Sequence, residues 1–369
     1  MRVLLVSREF PPAIRGGQGT VVMQLVSHLA NNGQIIDLVI PIQPTEPKLG
    51  QNVHVHQVPM VGGSFITRTI SFYVLSRKII RDLSRQTDVI YSHGTLINSR
   101  SDIPIVSHFH TSRYGEAKAC LRINKPIHAL INWMCIILDK WIVRQSDTII
   151  VLTPEMAADI KKDVVICSPI AIIENGIDVN SIVKATSQGN VAQNSALHIL
   201  YYGRLDPRKR VDLLLRAVAV SSVTAKIQIT GEGPEEARLR RLTRKLGLDV
   251  TFTRLLPREE VFRSFESNDL VVLPSTYEGF PMTTLECMSA GIPIITSDAC
   301  PDLGQTRFKK DDIKSLAKVL NQFGEDKKAE LRKAQAFRNT VERYNLTVMA
   351  DKILKVLSDC VDTARQRNK

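Results

Sequence analysis

The stretch EGFPMTTLECMSAG, residues 278–291, sets Glu278 and Glu286 eight positions apart, around a Phe280-Pro281 step. A helix beginning at Pro281 loses nothing by its missing N–H, because the first N–H groups of any helix lack partners inside it. The N–H groups of Met282, Thr283 and Thr284 then point above the helix start, where an anion is favoured. Glu278 falls on the loop before the helix and Glu286 in its second turn. One reading is a phosphate site with carboxylates that accept from sugar hydroxyls. The other is a capped helix with two solvated glutamates, and this stretch alone leaves both open.

A second group lies in GRLDPRKRVDLLLRAV, residues 203–218. Asp206 reads as an N-cap and Pro207 as the first residue of a helix over 207–220, with Arg208, Lys209 and Arg210 in its first turn. Three cations at the positive end of a helix oppose its dipole, at a cost of about 0.3–1 kcal/mol each. Arg204 adds a fourth cation on the same loop. A bound anion would reverse the sign of that cost.

In PPAIRGGQGT, Gly16, Gly17 and Gly19 precede a helix, so backbone can approach a ligand closely there. A dinucleotide fingerprint fails on context, since those glycines should follow the strand directly. His108 and His110, in IPIVSHFHTS, stand two apart near a strand's carboxyl end and share a face. His93 ends the preceding strand in IYSHG. A metal needs a third ligand and none is near in sequence, so no metal is expected.

The elements that must hold these residues alternate strand and helix. The first half reads RVLLVS, helix 20–32, IIDLVI, NVHVHQV, helix 66–85, DVIYS, IPIVSHFH, a long helix over 115–145, DTIIVL and IAII. After the polar stretch KATSQGNVAQNS the pattern restarts with LHILYYG, helix 207–220, AKIQIT, helix 234–246, VTFT, helix 258–266, DLVVLP, helix 281–290 and IPIIT, followed by three helices. This is the βα rhythm of buried parallel sheets. The expected organisation is a domain over 1–183, a linker over 184–195, a second domain over 196–345, and a C-terminal helix over 346–369 packing back on the first. Two doubly wound, Rossmann-like domains would then face each other across a cleft at the carboxyl ends of their strands.

Hydrophobic residues make up 44% and charged residues 23% of the 369, ordinary for a chain with sizeable cores. No apolar run reaches the roughly 18 residues of a spanning helix. The six cysteines form no C-x-x-C pair, which argues for a reducing cytosol and against a zinc or disulfide framework. The net charge of +12 calls for an anionic partner. In the first half it concentrates locally: residues 65–87 hold five cations against Asp82, and residues 113–144 hold six against Glu116 and Asp139. The second stretch carries IHALINWMCIIL and both tryptophans, Trp133 and Trp141, a composition suited to the headgroup interface of an anionic membrane. A buried domain helix is the rival reading.

In order along the chain, GGQG, FHTS, ENGID (Glu174–Asp178), GRLDPRK, TGEGP (Thr230–Pro234) and EGFPMTTLECMSAG resemble the motifs of glycosyltransferase family 4. The likeness runs from Arg2 to about Asp298. It implies the GT-B fold and a retaining, nucleotide-sugar-dependent glycosyltransferase. By the same resemblance, Arg204 and Lys209, beside Gly203, would hold the donor diphosphate. Glu286 would accept from the ribose diol. Glu278 would hold hydroxyls of the transferred hexose, helped by the backbone from Gly279 through Phe280, Pro281 and Met282 to Thr283, with its N–H groups as donors. Gly16 and Gly17 would close near phosphates and acceptor, His110 would hydrogen-bond the donor sugar, and His93 would stand on the acceptor side.

The FHTS stretch resembles that of enzymes acting on lipid acceptors, which implies a lipid-linked or cell-envelope glycan as acceptor, of lipopolysaccharide or polysaccharide type. The expected setting is cytoplasmic, with peripheral attachment to the inner face of a membrane left open. No nucleic acid partner is expected. No cofactor is expected either, and no divalent metal, since no two aspartates are spaced two apart. The segment CPDLGQTRFKKDD departs from the family by lacking its paired glycines. A sugar phosphorylase, a nucleotide-sugar epimerase and a non-catalytic nucleotide-sugar-binding module remain as alternatives.

Overall fold

The computed structural model describes all residues except 14–15, 64, 98–101, 165, 187–195, 255, 257, 339 and 368–369. Contacts divide the chain into two units. Met1–Ala117, Leu130–Gly176 and Tyr344–Lys369 form the first, and Lys118–Ala129 with Ile177–Arg343 forms the second. The linker expected over 184–195 lies outside the described residues from 187 onward, and its first two residues complete a helix, Val179–Ala185.

The first unit is built on β1 (Arg2–Ser7), β2 (Ile35–Pro41), β3 (Val53–Val58), β4 (Val89–His93), β5 (Ile105–Phe109), β6 (Thr148–Val151) and β7 (Ile170–Ile172). They form one parallel sheet in the order β3-β2-β1-β4-β5-β6-β7. RVLLVS and VIYSH carry apolar side chains on both faces because both faces are covered, the signature of a parallel sheet. Helices α1 (Gly17–Asn31), α2 (Phe65–Ser84), α3 (Arg113–Arg122), α4 (Pro126–Gln145) and α5 (Pro154–Asp163) fall in and around the crossovers. Beneath α2, Phe72 and Ile80 pack with Leu4, Val6, Val39 and Ile90 of the sheet. Truncating fully buried Phe72 to Ala would cost about 3–5 kcal/mol.

The long helix expected over 115–145 is two helices. Asn124 takes a left-handed conformation (φ 55°), which stops α3, and Lys125 N–H closes back on Cys120 O at 2.8 Å. Pro126 then opens α4, where its fixed φ suits a first turn. By length and composition α4 is also long and apolar enough to cross a membrane, contrary to the expectation of no such segment. It leads within three residues into β6, a strand of the buried sheet.

In the second unit α6 (Val179–Ala185) precedes a parallel sheet of β8 (Leu197–Tyr202), β9 (Ala225–Thr230), β10 (Asp249–Thr253), β11 (Leu270–Leu273), β12 (Ile294–Ser297) and β13 (Thr306–Phe308). Its order is β10-β9-β8-β11-β12-β13. The helices are α7 (Val211–Val220), α8 (Glu236–Leu246), α9 (Arg258–Glu266), α10 (Met282–Ala290), α11 (Ile313–Glu325) and α12 (Lys327–Arg338). One core joins Ile199, Tyr201, Leu214 and Ile229 to Leu316 and Leu320 of α11. The last helix, α13 (Leu346–Arg367), returns to the first unit and packs on α1 and β4. The ENGID stretch serves that return: a Cβ on Gly176 would lie 2.8 Å from Met349 Cβ and 3.0 Å from Asn345 O.

In each sheet the winding reverses between two adjacent strands, β1 and β4 in the first and β8 and β11 in the second. Loops leaving the carboxyl ends of such strands diverge and leave a crevice for a ligand. Gly16, Arg204, Lys209 and Glu278 sit on those loops, while His93 ends β4, His110 follows β5 and Glu286 lies in α10.

Candidate active site

In the second unit the loops after β8 and β11 meet. Tyr201 OH donates to Arg204 O at 2.7 Å, and Thr276 N–H donates to Arg208 O at 2.8 Å, so bonds to main-chain carbonyls tie the two loops. Gly203 N–H donates to Thr230 O at 3.0 Å, and a Cβ on Gly231 would lie 1.8 Å from Gly203 O. The TGEGP stretch thus supports the Arg204 loop from below, a role the sequence reading did not assign.

The expected helix 207–220 is broken. Asp206 does cap, its carboxylate accepting from Arg208 N–H at 3.0 Å, but the turn is a short 3-10 segment over Pro207–Lys209. Arg210 is left-handed (φ 50°) and α7 starts only at Val211. Asp311, also left-handed, accepts from Arg210 Nη1 and, at 2.8 Å, from Thr276 Oγ1. These bonds hold Arg210 in a conformation that costs a non-glycine residue roughly 1–2 kcal/mol. The basic cluster is therefore largely compensated. Arg210 pairs with Asp311 and with Asp212 at 3.2 Å, and Arg208 lies 3.7 Å from Asp206. Arg204, 64% exposed at its side chain and 3.8 Å from Asp206, remains open to a ligand.

Lys209 and Glu278 come together: Nζ lies 2.5 Å from Oε1, and Ser275 Oγ donates to the same oxygen at 2.6 Å. Gly279 and Thr283 are half-buried, while Phe280 and Met282 are buried. Pro281 is the N-cap of α10, with extended backbone (ψ 119°), not its first residue. It has no N–H, and Thr284 N–H turns back to Pro281 O at 3.2 Å. That leaves the N–H groups of Met282 and Thr283 at the helix start, fewer than the sequence reading expected. Glu286 is 4% exposed, and nearly every residue of α10 is buried with it. It is not on a solvated face, because α10 packs against α6, α9 and α12.

The segment after β12 contributes too, despite its missing glycines. Thr306–Phe308 adds β13, Asp312 caps α11 by accepting from Ser315 N–H at 3.0 Å, and Asp311 holds the Arg210 turn.

In the first unit Gly16 is the N-cap of α1 and Gly17 its first residue. A Cβ on Gly16 would meet Glu9 Oε2 at 3.0 Å. Ser112 of the FHTS stretch starts α3, its Oγ accepting from Gly115 N–H at 3.2 Å. His93 and His110 are brought together, Nδ1 to Nε2 at 2.8 Å, and burial drives both rings well below the ordinary histidine range, His110 to about 3. They are neutral hydrogen-bonding groups at physiological pH. His108 lies with them, so His93 is the third imidazole that sequence proximity to His108 and His110 did not supply.

Residues 15–181 match Glycosyltransferase Family 4, and residues 184–340 match Glycosyl transferases group 1. Glycogen synthase of Mycobacterium tuberculosis is 26% identical, over 92% of this chain and 89% of its own. Among solved structures, WaaG, a glycosyltransferase involved in lipopolysaccharide biosynthesis, superposes with a TM-score of 0.73 at 18% identity, covering 96% of this chain and 99% of that one. Anabaena HepE in complex with UDP-glucose gives a TM-score of 0.71 at 17% identity, covering 97% and 100%. Two parallel-sheet units, the motifs they display and these matches agree: the chain is a GT-B glycosyltransferase and belongs to glycosyltransferase family 4.

Proposed function

We propose that this glycosyltransferase moves a hexosyl unit from a nucleotide-sugar to a hydroxyl of a lipid-linked or cell-envelope glycan, with retention at the anomeric carbon. The observation that carries the reading is the Lys209–Glu278 pair beside Arg204 and the start of α10. A leaving nucleoside diphosphate gathers negative charge as its bond to the sugar breaks, and fixed donors must meet that charge. Arg204, Lys209 and the N–H groups of Met282 and Thr283 supply them without a divalent metal. Glu278 holds sugar hydroxyls, Glu286 the ribose, and the neutral imidazole of His110 a hydroxyl of the donor hexose. The first unit, with Gly16, Gly17 and His93, takes the acceptor. HepE with UDP-glucose and WaaG in lipopolysaccharide biosynthesis support this choice of donor and acceptor class.

The acceptor's setting follows from α4. Ile127, Leu130, Met134, Ile137 and Trp141 recur at three- and four-residue steps, so they share one helix face, and each is more than half exposed, with Trp133 beside them at 52%. Lys140 and Arg144 add positive charge to the carboxyl-terminal part of the same helix. An amphipathic helix of this kind lies in the headgroup plane of an anionic membrane.

A thermal-shift panel of UDP-, GDP- and ADP-hexoses tests the donor assignment. A ligand at about a hundred times its Kd stabilises by about 2.7 kcal/mol. One such sugar should raise Tm in the wild type and fail to do so in Arg204→Ala. No shift with any nucleotide sugar, or an equal shift in the variant, contradicts the assignment.

A further inference from the structure

Strand register builds a compact group of imidazoles inside the first unit. His93 on β4 pairs in register with His108 on β5, and His110 follows two residues later, just past the end of the strand. The rings stack: His108 and His110 have centroids 4.4 Å apart at 21°, and His93 and His110 5.2 Å apart at 18°. One ring nitrogen from each lies within 4.8 Å of one from each of the others. His93 and His108 are wholly buried.

Counting protons shows that the group is incomplete by itself. The His93 Nδ1–His110 Nε2 bond uses one donor and one acceptor. The outer nitrogens, His93 Nε2 and His110 Nδ1, are buried and make no hydrogen bond among the described residues. Whichever tautomer holds, one of them is an N–H without an acceptor and the other a lone pair without a donor. His108 Nε2 is buried and unbonded as well, while its Nδ1 lies 2.7 Å from Tyr91 OH. Each unsatisfied buried group carries the desolvation cost of a lost hydrogen bond. A cation placed between the rings would take up the lone pair of His108 Nε2 and those of the inner nitrogens, His93 Nδ1 and His110 Nε2.

The geometry points to a binding site for a late first-row divalent ion of the zinc, cobalt or nickel type, held by His93, His108 and His110. Three imidazoles without a carboxylate select such ions over magnesium, calcium or manganese, which prefer oxygen. The rings are neutral, because burial disfavours their charged forms, and only neutral imidazole ligates. Metal–nitrogen bonds of about 2.0–2.1 Å in a tetrahedron put ligand nitrogens about 3.3 Å apart. The 2.8 Å pair opens by about half an ångström and the wider contacts close, with half-buried His110 outside the strand free to adjust. Tyr91 orients His108 by holding Nδ1 and leaving Nε2 to the metal, the outer-shell support that buried histidine ligands use. Three protein ligands leave a fourth position open.

The test uses full-length, untagged protein stripped with EDTA, desalted and titrated with Co2+, and it requires no sugar transfer. One equivalent should develop the visible d–d bands of a low-coordinate cobalt–imidazole centre, and one equivalent of Zn2+ should bleach them. His110→Asn should weaken binding at least tenfold, and Tyr91→Phe by about tenfold. His198→Ala, in the other unit, should bind as wild type. Absence of cobalt bands in the wild type overturns the site and leaves a closed imidazole stack. Unchanged affinity in His110→Asn overturns it equally.

Discussion

Lys209 Nζ lies 2.5 Å from Glu278 Oε1, an ion pair between residues 69 apart in sequence, at the point where the loops after β8 and β11 meet. The side chains are 22% and 11% exposed, so this is a sheltered pair. Breaking such a pair from one side leaves a sheltered charge uncompensated, which costs more than the pair itself contributes.

The two single variants are therefore not equivalent. In the proposed mechanism Lys209 faces a charge that grows during reaction, so Lys209→Ala should lower kcat more than it weakens donor binding, by about 1–3 kcal/mol in kcat/KM. Glu278→Gln should lose a comparable amount, and the double variant less than the sum, because the residues share one interaction. Steady-state kinetics on the four proteins measures the coupling. Strict additivity would remove the pair from the mechanism.

Much of this framework is legible in the sequence, and what is not has a common cause. Buried strands such as RVLLVS and LHILYY declare themselves by apolar runs, and Asp206 declares itself as a cap because a cap bonds to a residue two or three ahead. The broken helix at Arg210 is not legible, since the residue that bonds it there, Asp311, is 101 positions away. The same holds for His93 joining His108 and His110, which only the β4–β5 register brings about. The buried setting of Glu286 depends on three helices around α10, and the short TRF strand carries too few residues to show a period.

Gly231 should be the least replaceable glycine of the donor loops. Its φ is 158°, and an added Cβ would overlap Gly203 O at 1.8 Å, backbone against backbone. Gly231→Ala should cost about 2–3 kcal/mol or more, read as a fall in Tm. Gly247, with φ 65° and open space around its Cβ position, provides the contrast. Gly247→Ala should cost only about 1 kcal/mol. Equal effects would contradict the packing assigned to Gly231.

Asp139 on α4 should make stability depend on pH. Loss of solvent around its carboxyl, with Glu116 nearby, raises it from 3.8 to about 7 against the pull of Arg113 and Arg8. A carboxyl raised in the folded state binds its proton more tightly there than in the unfolded chain. Its contribution is thus full below about pH 4 and is lost as pH rises through about 7. Asp139→Asn should gain about 1–2 kcal/mol on the wild type at pH 8 and little at pH 4.5, the gain being limited by partial exposure. Chemical denaturation at the two pH values reads the difference. A larger gain at the lower pH would reverse the assignment.

The exposed face of α4 should bind membranes without contributing to folding. Trp133 and Trp141 are 52% and 61% exposed, so Trp133→Ser with Trp141→Ser should leave the unfolding free energy within about 1 kcal/mol of wild type. Flotation with anionic vesicles should fall at least tenfold in this variant, and wild-type binding should weaken as salt rises. Equal recovery of the wild type with neutral and anionic vesicles would count against the interface.

The measurement closest to the central claim is proton NMR of the full-length protein with its nucleotide-hexose and acceptor in excess EDTA. The account predicts release of nucleoside diphosphate at an undiminished rate, together with a product whose new glycosidic bond keeps the anomeric configuration of the donor. An inverted anomeric signal, transfer only after magnesium or manganese is restored, or turnover that depends on inorganic phosphate would contradict it.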